Sequence, residues 1–276
     1  VAEATQIEVT RQEDSRGLRL LFSRLRSYLI FDPLVWFYTI VLGSFSLLCS
    51  LFDRSGEIQH NVARLWARAI MATLGAKIEI VGMEIVDISK AQVYVVNHLS
   101  ALDIPVLYAS LPFQFRILAK RELFRYPFLG WHLRRSGQIS VVLDSPKEAV
   151  RSLNKAVAEL KKNMPLVIFP EGGRSPDGQL HTFMGGAFYA AIKAQANIVP
   201  MALIGTYEML KMNTWHIKPR PLQLLVEKPI PTAGMTAREV EKLTVRVQEV
   251  IGELYYAHCT VPDLREENPA MNEPAK

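Results

Sequence analysis

Cysteine is scarce: only Cys49 and Cys259 occur in 276 residues, which gives neither a disulfide framework nor a zinc-binding pattern and agrees with a reducing compartment. No His-x-His or His-Glu-x-x-His spacing is present, so a metal-dependent hydrolase built on His98, Asp103 and Glu171 lacks the ligand pattern such a site needs. A Gly-x-Ser-x-Gly elbow and a paired-cysteine nucleophile are missing too, and with them the usual routes to a covalent intermediate on the protein. Internal repeats are absent. The charge imbalance is small, +5, and no nucleic-acid motif accompanies it. Nucleic acid is therefore not an expected partner; anionic lipid surfaces, phosphorylated substrates, coenzyme A or an acidic carrier protein are.

Charge is missing altogether from Leu34 to Phe52. As a helix these nineteen residues would extend roughly 28 Å, about the thickness of a bilayer core. Arg16, Arg19, Arg24 and Arg26 precede the run, and Trp36 and Tyr38 sit near one end, where interfacial aromatics belong. The run is too long and too far into the chain for a signal peptide. The next segment, 57–74, carries Glu57, Arg64 and Arg68, which are too costly in hydrocarbon. It is amphipathic, with Ile58, Val62, Leu65, Trp66, Ala69 and Leu74 near one face and Gly75 as a stop. Residues 1–75 thus read as a two-helix anchor: an apolar helix 34–52 and an amphipathic helix 57–74 lying at the interface.

With 49% hydrophobic residues, the remainder is long enough for one full domain. From Lys77, apolar β-branched runs predict strands near 77–82, 92–96, 114–118, 138–143, 165–169, 198–204 and 222–227. Between them, Ser145, Pro146 and Glu148 form an N-terminal signature for a helix over 146–161, with Ala149, Val150, Leu153, Ala156, Val157 and Leu160 as its core face. Thr236 and Glu239 open a second helix that buries Val240, Leu243, Val247, Val250 and Leu254. The fold class is α/β: a single mixed α/β domain, 76–258, behind the anchor, with a disordered Pro- and Glu-rich tail at 259–276.

Two polar clusters fall where predicted strands end, the edge at which open α/β sheets bind ligands. The first is Asn97-His98-Leu99-Ser100-Ala101-Leu102-Asp103. On a continuous helix, residues five apart point about 140° away from each other. His98 and Asp103 therefore meet only if the chain turns between them and Asp103 opens a helix, which Pro105 fits. A carboxylate on one ring nitrogen makes the imidazole a general base at the other. Asp103 also reads as a plain helix N-cap, with Ser100 completing a capping box. The second cluster, Glu171-Gly172-Gly173-Arg174-Ser175, follows the strand Leu166-Val167-Ile168-Phe169; Ser175-Pro176-Asp177-Gly178 beyond it is a strong turn signal.

Together the clusters resemble the glycerolipid acyltransferases, most of all the lysophosphatidate (1-acylglycerol-3-phosphate) acyltransferases. The resemblance rests on four blocks in order: Asn97-His98 with Asp103; Lys120, Leu123, Pro127 and Gly130; Phe169-Pro170-Glu171-Gly172-Gly173-Arg174-Ser175; and Ile198-Val199-Pro200-Met201-Ala202. The chain departs from the family at Gly173, usually threonine, at Met184-Gly185-Gly186, usually carrying lysine, and at Asp144-Ser145, near which an arginine is common. The resemblance implies transfer of a fatty acyl group from an acyl thioester (acyl-CoA or acyl-carrier protein, as co-substrate, with no cofactor or metal) to a glycerol hydroxyl of a lysophospholipid acceptor in the membrane, on its cytoplasmic face where such thioesters are made, so that 34–52 would dip into one leaflet instead of spanning. His98 would be the base and Asp103 its orienting partner. Asn97, Lys120, Glu171, Gly172, Gly173 and Arg174 would bind substrate, with Arg174 and Lys120 on the phosphate and the glycine amides at the oxyanion. Another lyso-lipid acceptor, or a non-catalytic lipid-binding relative, is the alternative reading.

Overall fold

The computed structural model describes residues 17–53, 55–142 and 145–263. Seven strands form one sheet: β1 (Ile78–Val81), β2 (Val93–Val96), β3 (Arg116–Lys120), β4 (Ile139–Val141), β5 (Leu166–Ile168), β6 (Ile198–Ile204) and β7 (Leu222–Val226). Their order is β1-β7-β6-β2-β5-β3-β4. Every pairing is parallel except β6 with β7, so β2, β5, β3 and β4 all end at the same edge. All seven predicted strands are present. The third starts two residues late, because Phe115 goes wholly into the core while Arg116, also buried, donates to Ser55 O at 2.7 Å.

Helices cover both faces, which is why the inner strands are apolar without a break. On β2, Val93 and Val95 enter one core, and Tyr94 and Val96 enter the other. The first core is roofed by α5 (Pro146–Lys161), α6 (Gly186–Ala194) and α8 (Val240–Tyr256); α2 (Glu57–Thr73) and α3 (Asp103–Ser110) cover the second. Two short helices, α4 (Leu129–Arg135) and α7 (Thr206–Met209), complete the set with α1, the helical run Gly17–Cys49.

The helix ends divide by how local their partners are. Thr236 and Glu239 form the expected capping box before α8, and Gly75, at φ +61°, ends α2 with paired bonds from Gly75 N to Ala72 O and from Ala76 N to Met71 O. At α5 the expected box does not form: Ser145 makes no capping bond, and the Glu148 carboxylate pairs with Arg121 instead. The core face of α5 keeps Leu153, Ala156, Val157 and Leu160 of the predicted one. Ser152, Ala156, Val157 and Leu160 are buried, whereas Val150 is exposed.

The N-terminal region needs the largest correction. α1 begins before Leu34, includes a π-helical turn at Ser27–Phe31, and stops at Cys49. Asp53 then accepts from Ser55 N at 2.7 Å and Ile58 N at 2.9 Å, turning the chain into α2. Gly56, at φ +78°, starts α2 where a Cβ would lie 3.0 Å from Ser136 O, so only glycine fits. α2 does not offer its main apolar face to an interface. Ala67, Ile70, Met71 and Leu74 are buried in the second core, while Ile58 and Leu65, expected on the same face, are exposed. Residues 57–74 therefore belong to the α/β body. The start of the tail does too: Cys259 and Val261 pack on the first core, and Pro262 O accepts from Gln179. The rest of that tail, and Asp144, lie outside the described residues.

Candidate active site

Three neighbouring parallel strands, β2, β5 and β3, deliver the site from one edge. β2 passes into Asn97, whose buried amide donates to Leu203 O at 3.0 Å and accepts from Leu203 N at 2.7 Å. With both groups engaged on β6 and no exposed surface, Asn97 is a staple of the sheet and not a substrate ligand. It fixes where the next residue leaves the sheet.

That residue is His98. Its Nδ1 lies 2.8 Å from Asp103 Oδ2, and the same oxygen accepts from Leu99 N at 2.7 Å and Ser100 N at 2.9 Å. Asp103 opens α3, so its fully buried carboxylate sits in the helix's first turn, where the dipole favours a negative charge. Asp103 is thus the first residue of the helix and not its N-cap, which is Leu102, and its carboxylate meets the His98 ring that the sequence reading paired with it. The carboxylate acceptor assigns the proton to Nδ1 and leaves the Nε2 lone pair facing out. The ring also stacks on Phe169 of the β5 edge, with centroids 4.0 Å apart and planes 25° apart. The imidazole keeps 18% side-chain exposure, enough for a substrate hydroxyl to reach it.

Glu171 proves to be a backbone anchor, a role sequence reasoning missed. Its Oε1 accepts from His98 N at 2.6 Å and its Oε2 from His181 N at 2.9 Å, so both oxygens are tied to the backbone. Desolvation is the main cause that pushes this carboxyl up to about 8, outweighing the two N–H donors, and Asp103 and Asp177 add to the rise. On the other side, Ser175 N donates to His98 O at 2.9 Å. The 169–175 loop therefore grips the histidine by its ring, its N–H and its carbonyl. The fully buried Ser175 also opens the expected turn, accepting from Gly178 N at 2.9 Å. No signal within the motif shows these bonds, because their partners are main-chain groups of a distant segment.

The glycines divide. Gly172, at φ +67°, gives its N–H to Phe169 O at 3.2 Å and so is not an oxyanion donor. Gly173 N makes no backbone bond among the described residues and keeps that role open. A Cβ placed on Gly173 would lie 3.8 Å from Lys120 Nζ, which puts the β3 lysine beside this loop. Lys120 and Arg174 are both exposed, and neither has an ion-pair partner among the described residues. Two free cations thus stand at the edge that carries His98. Among the described residues, no group of three His, Cys, Asp or Glu side chains converges as a metal site.

A histidine–aspartate pair at a strand edge, with two exposed cations beside it, fits the class of enzymes that draw a proton from a substrate next to a bound anion. Residues 77–204 match the family model described as Acyltransferase. The chain is 30% identical over 248 residues to a 1-acyl-sn-glycerol-3-phosphate acyltransferase of Cocos nucifera, covering 89% of this chain and 78% of that one. A protein of the same name from Saccharomyces cerevisiae is 30% identical over 230 residues, covering 82% and 75%. The crystal structure of the 1-acyl-sn-glycerophosphate acyltransferase PlsC from Thermotoga maritima superposes with a TM-score of 0.67 at 26% identity, covering 86% of this chain and 95% of that one. This chain belongs to the acyltransferase family of those 1-acyl-sn-glycerol-3-phosphate acyltransferases.

Proposed function

We propose that this protein transfers a fatty acyl group from an acyl thioester, carried by coenzyme A or an acyl-carrier protein, to the free hydroxyl of 1-acylglycerol-3-phosphate, giving phosphatidate. The observation that carries the chemistry is the 2.8 Å contact of His98 with Asp103, held at the same edge as Lys120 and Arg174. His98 Nε2 takes the hydroxyl proton as the oxygen attacks the thioester carbon. Asp103 holds the tautomer and stabilises the imidazolium. The tetrahedral intermediate collapses with loss of thiolate, which receives the proton back from Nε2. Arg174 and Lys120 hold the acceptor phosphate, and Gly173 N faces the oxyanion.

The reaction takes place at a membrane surface, on its cytoplasmic face. α1 is tied to the body along its length: Ser27 Oγ donates to Trp215 O at 2.8 Å, Thr39 Oγ1 accepts from Trp66 at 3.0 Å, and Ser46 Oγ lies 3.1 Å from His132. A helix so attached lies along one leaflet with Leu29, Phe37, Ile40, Phe45 and Leu48, all exposed, in the lipid. An acceptor panel tests the assignment. Arg174→Ala should lower kcat/KM about ten- to a hundred-fold with phosphate-bearing acceptors, the effect of one charge-assisted contact. Arg174→Lys should recover only part of this, because it loses the bidentate fork. An acceptor without phosphate should show almost no loss; equal losses on both acceptors would remove the phosphate role.

A further inference from the structure

The described surface holds two cavities that no step above uses, and one arginine joins them. The first, of about 660 Å³, is an apolar groove between the end of α1 and α4, with Leu47, Leu48, Leu51, Phe128 and Trp131 among its lining residues. Phe128 and Trp131 are exposed on this groove, whereas Phe124 is buried. One turn beyond Trp131, Arg134 and Arg135 also line it. The second cavity, of about 610 Å³, opens along β4 and α5; Arg121, Arg125, Arg134, Lys155 and Lys162 face it, against the single acid Glu159.

Much of this charge is uncompensated. Lys162 is paired with Glu159 at 2.7 Å and Arg121 with Glu148, but Arg125, Arg135 and Lys155 have no ion-pair partner among the described residues. Arg134 uses one N–H on Phe124 O and keeps the rest of its fork free. The groove wall is the lipid-facing helix itself, so an occupant arrives from the bilayer. The site is also separate from the catalytic one. Neither cavity is lined by His98, Asp103, Lys120, Glu171, Gly173 or Arg174, and α4 leads through Ser136–Gln138 into the start of β4.

We infer that this groove binds one anionic phospholipid of the membrane, its acyl chains along Leu47, Leu48, Leu51 and Trp131 and its phosphate on Arg134 and Arg135. The inference rests on the membrane-surface reading of α1. Apolar walls exclude a purely ionic ligand from the groove. The unpaired guanidinium groups at its end favour a phosphodiester with net negative charge over a zwitterionic headgroup, whose own ammonium neutralises the site's advantage. Lipids of this kind would fix the angle at which the body stands on the membrane.

The test uses the full chain and the tryptophan already in the groove. Vesicles of phosphatidylcholine carry, at equal mole fraction, either brominated phosphatidylglycerol or brominated phosphatidylcholine; bromine quenches indole fluorescence only in contact. The Trp131 component is the difference between wild type and Trp131→Phe. It should be quenched several-fold more by the anionic lipid, and Arg134→Gln combined with Arg135→Gln should reduce that preference about ten-fold. Arg135→Gln alone, an exposed side chain with no partner, should reduce it in part and guards against a fold defect in the double variant. Equal quenching by both lipids, or a preference surviving in the variants, overturns the inference. So does relief of quenching by inorganic phosphate, which would make this a site for a free anion. Absence of quenching by either lipid would overturn the membrane reading itself. None of these readouts involves turnover, so they fail or succeed independently of the acyltransferase assignment.

Discussion

One carboxyl group, Glu171, helps to hold His98 in place, because its two oxygens bridge His98 N and His181 N. Its carboxyl is raised from 4.5 to about 8, so the folded protein binds that proton more tightly than the unfolded chain. The stabilisation is therefore full below about pH 4.5 and is lost as pH rises through about 8. Glu171→Gln places an amide NH₂ against one of the two backbone donors and no longer titrates. The melting-temperature gap between wild type and this variant should be widest near pH 5 and narrow toward pH 8; a gap that does not change with pH would contradict the assignment. His98 and Asp103 were legible in the sequence because their relation is local, a turn and a helix start five residues long. Asn97 was misread and Glu171 underestimated because the groups they bind, Leu203 and His181, belong to other segments, and a motif does not display such partners.

At the scale of elements, alternation and β-branched runs made all seven strands legible, but not their order. That β5 enters between β2 and β3, bringing the glycine loop against His98 and Lys120, follows only from the crossovers. α2 shows the limit of helical periodicity: its apolar stripe was legible, but not whether lipid or sheet covers it. His60 of α2, which is buried, marks the answer. Its ring lies 5.1 Å from that of Tyr108 and 4.9 Å from that of Phe115, and desolvation, with Arg64 and Arg116 nearby, lowers it from 6.5 to about 4. A histidine lowered in this way contributes stability that is present above about pH 6.5 and is lost as pH falls through about 4. His60→Leu should therefore melt at progressively higher temperature than wild type as pH falls across that window. Parallel curves would mean that the ring is not desolvated by the fold, and that α2 stands off the body as an interfacial helix would.

For the whole molecule, the consequence is that the apolar N-terminal helix α1 and the α/β domain are one body. Deleting residues 1–54 should release most of the protein from membranes and leave salt-sensitive binding through the basic surface. Because the deletion also uncovers α2 and breaks the Trp66–Thr39 and Thr73–Tyr38 bonds, it should cost about 2 kcal/mol or more of stability. A truncated protein that stays on membranes in high salt, or melts like wild type, would contradict this union. The central claim is direct transfer with His98 as base, and one measurement meets it head on. Labelled acyl thioester and 1-acylglycerol-3-phosphate are mixed with wild type and with His98→Ala, and both lipid product and acid-stable label on the protein are counted. The account predicts a loss of turnover of about 10²–10⁴-fold in the variant with only a small fall in melting temperature, and no acyl label on either protein. Near wild-type turnover in His98→Ala, or a labelled acyl-enzyme, would contradict it.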